Sequence, residues 1–374
     1  MKHFNCIVKS AIISLIAVFA SCTSEDISPI DEMPLNTTSQ KDALDFVAQL
    51  TPDQKKNLEL TGEVFLPEEQ KNSWNTTIAQ DIPVRWGMFD SPFKQSRAVG
   101  IAGSYKAQYW TMLRVKLGKE ITGIDVSERI RNQLNLAVKA IESKTNVRFY
   151  NSQRDNKYFE VGSFKLELPN IVINMYDNDS KIEGSGSYGL IGGEQYIYCS
   201  TDLNNKNKYS DEEVRAFLMH ALCNAAGMFN EQQRNDRDNY VTIYTANIKS
   251  NCKPCFEKQT KNYVTMGNFD YNSITMASSK SYSVNGENTI VKKGDGGEIK
   301  RNLTLSESDI NFLNAYYLPY IARKDNYVQL DKKVYRDGRL LTDTERQELQ
   351  DALNAERGLT GTPPESGVII RDPW

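Results

Sequence analysis

The order of segments in this chain of 374 residues predicts an α+β domain with a mixed twisted sheet. Three observations predict it: a long amphipathic helix at 127–143, β-rich runs after it, and a second apolar helix that ends in an unusual motif around His220. In the first helix Ile130, Leu134, Val138 and Ile141 fall on one stripe, with Asp125 or Ser127 available as cap. The runs at 147–150, 171–175 and 195–198 are rich in β-branched and aromatic residues and read as strands. Asp211, Glu212 and Glu213 suit the start of the second helix, and Val214, Phe217, Leu218, Ala221 and Leu222 continue it at helical spacing.

The second helix runs into H-A-L-C-N-A-A-G-M-F-N-E, from His220 to Glu231. Positions i and i+4 of a helix share a face, so His220 and Asn224 point toward one place. Gly227 lets the chain leave the helix, and Asn230 can swing back to the same place. Three side chains converging in this way have the geometry of a metal centre. Here only one of them is an imidazole, and the other histidine of the chain is His3. A zinc site owes roughly 10–16 kcal/mol to several ligands acting together. Asparagine is a neutral oxygen donor better suited to harder cations.

The frame resembles the H-E-x-x-H-x-x-G-x-x-H-E of metzincin zinc peptidases. On it His220 takes the first ligand place, Asn224 and Asn230 the second and third, and Ala221 that of the general base, while Gly227 and Glu231 match. Residues 234–243 read R-N-D-R-D-N-Y-V-T-I and run on to Asn247-Ile248, which is similar to the astacin family's R-P-D-R-D-x-Y-V-x-I…N-I. That match makes Arg237, Asp238 and Tyr240 structural motif residues. Residues 270–283, D-Y-N-S-I-T-M-A-S-S-K-S-Y-S, align without a gap on the family's D-Y-x-S-I-M-H-Y-x-x-x-x-F-S. Asp309-Ile310, Asn314 and Tyr317 echo the family's ending, and Gly192-Gly193-Glu194-Gln195 looks like its G-G-x-Q edge strand.

The resemblance covers roughly residues 100–320 and implies a two-subdomain astacin-like domain at 96–320, with an active-site-type helix bordering a cleft. It implies zinc chemistry for the family, but the departures fall on that chemistry. Thr275 stands for the methionine beneath the metal, and Ala277 for the tyrosine that assists catalysis. Losing a positioned general base alone costs about 10²–10⁴-fold in rate. No cofactor is therefore expected; zinc would be the cofactor if an atypical site of His220, Cys223 and Glu231 operates. In the family the glutamate matching Glu231 accepts the mature amino terminus, which implies a structural role for it. An insertion at 203–209, rich in Asn and Lys, reads as a surface loop.

Lys2 and Lys9 precede an apolar run at 11–20 followed by Ser21-Cys22, so 1–21 reads as a lipoprotein signal peptide with Cys22 the lipidated residue. A short acidic patch after it is consistent with export to the bacterial outer membrane and the cell surface. Residues 22–40 read as a tether, 41–95 as a propeptide-like region with a helix at 42–60, and 321–374 as an extension with one helix, capped by Thr342 with Glu345 and stopped by Gly358. No counterpart of the propeptide aspartate that blocks zinc in active astacins is found there. Cys252 and Cys255 enclose Lys253-Pro254 and read as a local disulfide clip. The family cysteine beside the G-G-x-Q strand corresponds to Ser185, so that pairing is expected to be absent.

With 45 basic and 48 acidic residues and no basic block, nucleic acid is excluded as a partner class. The expectation is a catalytically inactive, lipid-anchored astacin-like protein whose cleft still binds an extended peptide. Pairing along an edge strand at Gly192, Gly193, Gln195 and Ile197 needs backbone groups rather than zinc. Two alternatives stand beside it: an active zinc metalloendopeptidase with an atypical site, and a structural or assembly lipoprotein whose cleft is filled by its own extension.

Overall fold

The computed structural model describes residues 98–101, 112–119, 122–155, 158–161, 164–167, 170–177, 184–186, 194–259, 263–325, 327–355 and 358–374. The signal peptide, Cys22, the tether, the helix expected at 42–60, and Gly192 and Gly193 lie outside the described residues. In chain order the main elements begin β1 (Ala98–Ile101), β2 (Met112–Leu117), α1 (Glu128–Lys144), β3 (Arg148–Asn151), β4 (Tyr158–Val161), β5 (Phe164–Glu167), β6 (Asn170–Tyr176), β7 (Gly184–Gly186) and β8 (Glu194–Ser200). They continue with α2 (Asp211–Ala225), β9 (Val241–Ile243), β10 (Tyr263–Met266), β11 (Ile290–Lys292), α3 (Glu307–Tyr316), β12 (Tyr335–Arg336), β13 (Arg339–Leu340) and α4 (Asp343–Ala355).

The expected α+β architecture is present. Five strands form a mixed sheet in the order β3-β2-β6-β8-β7, parallel throughout except for β7 against β8. Alternation sends Leu113, Val115, Ile171, Ile173, Ile197 and Cys199 into one core. Ile130, Leu134, Ala137, Val138 and Ile141 of α1 fill that core together with Val214, Leu218 and Leu222 of α2. Ser127, rather than Asp125, caps α1 by accepting the Ile130 N–H. Ser210 and Glu213 close a capping box on α2 and so fix where that helix begins.

The stretch expected as a surface loop at 203–209 is pinned. Leu203 is 1% exposed within a 3-10 turn, and the Arg129 guanidinium donates to the carbonyls of Leu203 and Tyr209 while pairing with Asp211. One arginine thereby ties α1 to the start of α2.

One expectation is corrected, and a second stands open. The strand carrying Gln195 and Ile197 is not an edge: β8 is bonded to β6 on one side and to β7 on the other, and both side chains are buried. The outer strand is β7, and its Gly-Ser-Gly sequence carries no hydrophobic pattern to announce a strand. The clip between Cys252 and Cys255 is not closed in this structure, where both are free thiols. Cys252 Sγ is buried in the cluster of Ile248, Phe256 and Phe269 and lies 3.5 Å from Asn251 Oδ1.

The C-terminal extension contains the single expected helix, α4, with Thr342 and Glu345 bonded reciprocally at its start and Gly358 in the left-handed region (φ 72°) after it. The extension builds a second core from Leu318, Tyr320, Val328, Leu330 and Val334 around Met112. It joins the domain at the β3 side of the sheet. Asn146 bonds both backbone groups of Tyr335, Arg148 pairs with Asp331 at 2.8 Å, Arg371 pairs with Glu142, and the Trp374 indole donates to the Val115 carbonyl. Sheet order places that contact opposite β7.

Candidate functional site

The motif helix delivers its polar residues as the spacing predicts. Helix α2 ends at Ala225, and Gly227 adopts φ 103°, a conformation that a side chain would strain. The Gly227 and Met228 amides bond back to Asn224 and Cys223, closing the helix, and the chain turns so that Asn230 returns to the face of His220. His220, Asn224 and Asn230 are thus brought together. His220 Nε2 lies 2.7 Å from Asn230 Oδ1, and Asn224 Nδ2 lies 3.3 Å from the same oxygen.

This network fixes its own protons. Asn224 Nδ2 also donates to the Met228 carbonyl at 2.9 Å, which orients its amide. Its second N–H therefore meets an acceptor, Asn230 Oδ1, and that oxygen obliges His220 Nε2 to be the protonated ring nitrogen. A protonated Nε2 has no lone pair to offer a metal. One imidazole and two neutral carboxamides, already bonded to one another, do not fit zinc. Among the described residues no three His, Cys, Asp or Glu side chains are gathered where they could hold a metal ion, and His220, Cys223 and Glu231 are not brought together as such a group. Cys223 is fully buried, and burial holds its thiol well above the usual range.

The place of the general base belongs to Ala221, which faces β7. A Cβ built on Gly186 would stand 3.6 Å from the Ala221 Cβ, ordinary contact, so this strand lies directly over the helix. At Gly184 a Cβ would collide with the Tyr198 carbonyl and the Phe217 ring, which explains why a glycine is needed there.

Beneath the network runs the segment matched at 270–283. Ala277 is buried, and its N–H donates to Gln232 Oε1 at 3.0 Å. Thr275 replaces apolar packing with a hydrogen bond: its hydroxyl donates to the Phe229 carbonyl at 3.1 Å. Asp309, reaching in from α3, accepts from the Ser273 hydroxyl and the Ile274 N–H, each at 2.7 Å. Burial pushes its carboxyl up to about 6, although these donors pull the other way.

Glu231 is 1% exposed, with Oε1 accepting the Asp270 N–H at 2.8 Å and lying 3.6 Å from Arg234. Burial pushes its carboxyl up to about 8, outweighing the pull of Arg234 and of the Asp270 amide. Arg234 is itself buried, held bidentately by Asp236 and bonded to the Gly267 carbonyl. Arg237 donates to the carbonyls of Gln232 and Phe256, Asp238 pairs with Lys258, and Tyr240 stacks on Phe269 at 5.1 Å while its carbonyl accepts from the Tyr271 hydroxyl. Sequence reasoning missed Gln232, Gln233 and strand β7 as parts of the site. Adjacency to Glu231 was the only available signal for the two glutamines.

A helix with ligand-spaced positions, a glycine exit and a returning third position defines the metzincin class of peptidase fold. Residues 184–318 match the family model described as Astacin, a peptidase family. The chain is 33% identical over 131 residues to zinc metalloproteinase nas-15 of Caenorhabditis elegans, covering 34% of this chain and 21% of that protein. It is 39% identical over 101 residues to embryonic protein UVS.2 of Xenopus laevis, covering 27% of this chain and 20% of that protein. The chain therefore spans about a fifth of the length of these relatives. Among solved structures it resembles high choriolytic enzyme 1, a hatching enzyme zinc-protease from Oryzias latipes, with TM-score 0.40 and 23% identity over 55% of this chain and 88% of that one. It also resembles myroilysin, with TM-score 0.38 and 16% identity over 58% of this chain and 98% of that one. Over residues 184–318 the chain is therefore similar to the astacin family.

Proposed function

We propose that this protein is a catalytically inactive member of its family, which keeps a peptide-binding cleft without zinc-dependent hydrolysis. The observation that carries the reading is the contact between His220 Nε2 and Asn230 Oδ1, in which a ring nitrogen and a carboxamide oxygen that metal ligation would need are bonded to each other. Ala221 and Ala277 leave no side chain to move a proton or stabilise an oxyanion at those positions. An extended peptide would pair with the outer edge of β7 through backbone groups. The extension's contacts at the β3 side favour this reading over one in which the extension fills the cleft. Export and lipid anchoring through Cys22 belong to the same proposal, supported by the apolar run that ends at that cysteine.

The test pairs a gelatin digestion assay, run with added zinc, with a peptide array probed by the same protein. Binding without digestion is the expected outcome. Digestion that disappears in His220→Ala would overturn the inactive reading, and failure to retain any extended peptide would overturn the binding one.

A further inference from the structure

The turn that carries Cys252 and Cys255 is wired to the floor of the candidate site by two buried glutamines. Gln232 donates Nε2 to the Cys255 carbonyl at 3.0 Å while its Oε1 accepts the Ala277 N–H at 3.0 Å. Gln233 donates Nε2 to the Pro254 carbonyl at 3.2 Å while its Oε1 accepts the Asn230 N–H at 3.2 Å. Arg237 adds a third tie, from the Gln232 carbonyl to the Phe256 carbonyl. Three successive carbonyls of one turn thus hold the residues beneath both degenerate positions.

That turn is an unusual support. Residues Ser250–Phe256 form a 3-10 helix of 7 residues with Pro254 inside it. Runs longer than about 3–4 residues are uncommon in this conformation because its hydrogen bonds are poorly aligned. The same geometry eclipses positions i and i+3 and, at about 2.0 Å rise per residue, separates their Cα atoms by about 6 Å. A disulfide spans roughly 4.4–6.8 Å between Cα atoms.

We propose that Cys252 and Cys255 are a reversible disulfide clip that sets the rigidity of the floor under Asn230 and Ala277. Cys255 is partly exposed and is the entry point; Cys252 is buried and resolves. The oxidant is a small-molecule disulfide. The Cys255 thiolate attacks one of its sulfurs and releases the first thiol. The Cys252 thiolate then attacks Cys255 Sγ and displaces the second, so two protein thiols are oxidised and one external disulfide is reduced to two thiols. Burial raises the Cys252 thiol to about 11 and also raises Cys255, which suits a slow clip and not a turnover catalyst. Cys199 and Cys223 are fully buried in the main core and do not compete.

The experiment treats the full chain with oxidised glutathione, locates the bond by peptide mapping, and compares hydrogen–deuterium exchange of the segments containing Asn230 and Ala277. Expected are an intramolecular 252–255 bond and severalfold slower exchange at those two amides. Dithiothreitol should reverse the effect, and Cys255→Ser should abolish it. Because Cys255 is partly exposed, that variant spares the core; near-UV circular dichroism matching the reduced wild type confirms its fold. A mixed disulfide that persists at Cys255 would overturn the clip. A formed bond with unchanged exchange at both amides would overturn the coupling.

Discussion

Asn230 is where helix α2 and the segment that returns beyond Gly227 meet. Its carbonyl oxygen takes hydrogen bonds from His220 and Asn224 and so joins α2 to the segment beyond Gly227. Asn230→Ala removes the shared acceptor and leaves buried donors unsatisfied, at a cost of about 1–3 kcal/mol for such a group. Asn230→Asp keeps an acceptor in place and should stay much closer to wild type in urea unfolding midpoint. Equal midpoints for Ala and wild type would show that the network carries no stability. Glu231 makes a second prediction. Its folded-state pKa of about 8 lies above the ordinary 4.5, so the folded state binds the proton more tightly. Its contribution is complete below pH 4.5, declines as pH rises, and levels off above about 8. Glu231→Gln cannot titrate, so urea midpoints of the variant relative to wild type should improve steadily from pH 5 to pH 8. A difference that is flat over that interval would contradict the assignment. The ligand-position residues were legible in the sequence because a helix converts i, i+4 and a glycine exit directly into convergence. Gln232 and Gln233 were not, because the Cys255 and Pro254 carbonyls and the Ala277 amide they bond lie far along the chain.

Among the elements, legibility follows side-chain pattern. The strands expected at 147–150, 171–175 and 195–198 correspond to β3, β6 and β8, and α1 begins at the cap Ser127 provides. Strand β2, Met-Leu-Arg-Val-Lys-Leu, went unread although Leu113, Val115 and Leu117 alternate with Arg114 and Lys116, and Leu113 and Val115 sit in the core. Strand β7 had nothing to read, being two glycines around a serine. Its glycines let the strand lie close over α2, so Gly184→Ala should push β7 away from Tyr198 and Phe217. Faster hydrogen exchange across 197–199, the partners of β7, would report that loss; unchanged exchange would mean the strand tolerates a side chain. The capping box on α2 gives a smaller effect, with Ser210→Ala expected to cost about 1 kcal/mol in urea unfolding.

At the scale of the whole molecule the astacin-like domain and the extension are tied into one body at the β3 side of the sheet, away from β7. Trp374 bonds Asn135 through both backbone groups and Val115 through its indole, and it packs partly buried against the main core. Trp374→Ala should therefore lower the stability of the domain itself, by about 1–3 kcal/mol for a partly buried aromatic. Peptide retention per folded molecule should be unchanged, since the contact is remote from β7. Loss of peptide retention in a folded Trp374→Ala protein would mean that the extension reaches the cleft.

The central claim concerns the metal, and its most direct measurement is the zinc content of the purified protein after equilibration with zinc and removal of the excess. A network in which Nε2 of His220 is committed to Asn230 predicts substoichiometric zinc, equal in wild type and His220→Ala. One zinc per chain in wild type, lost in His220→Ala, would contradict it.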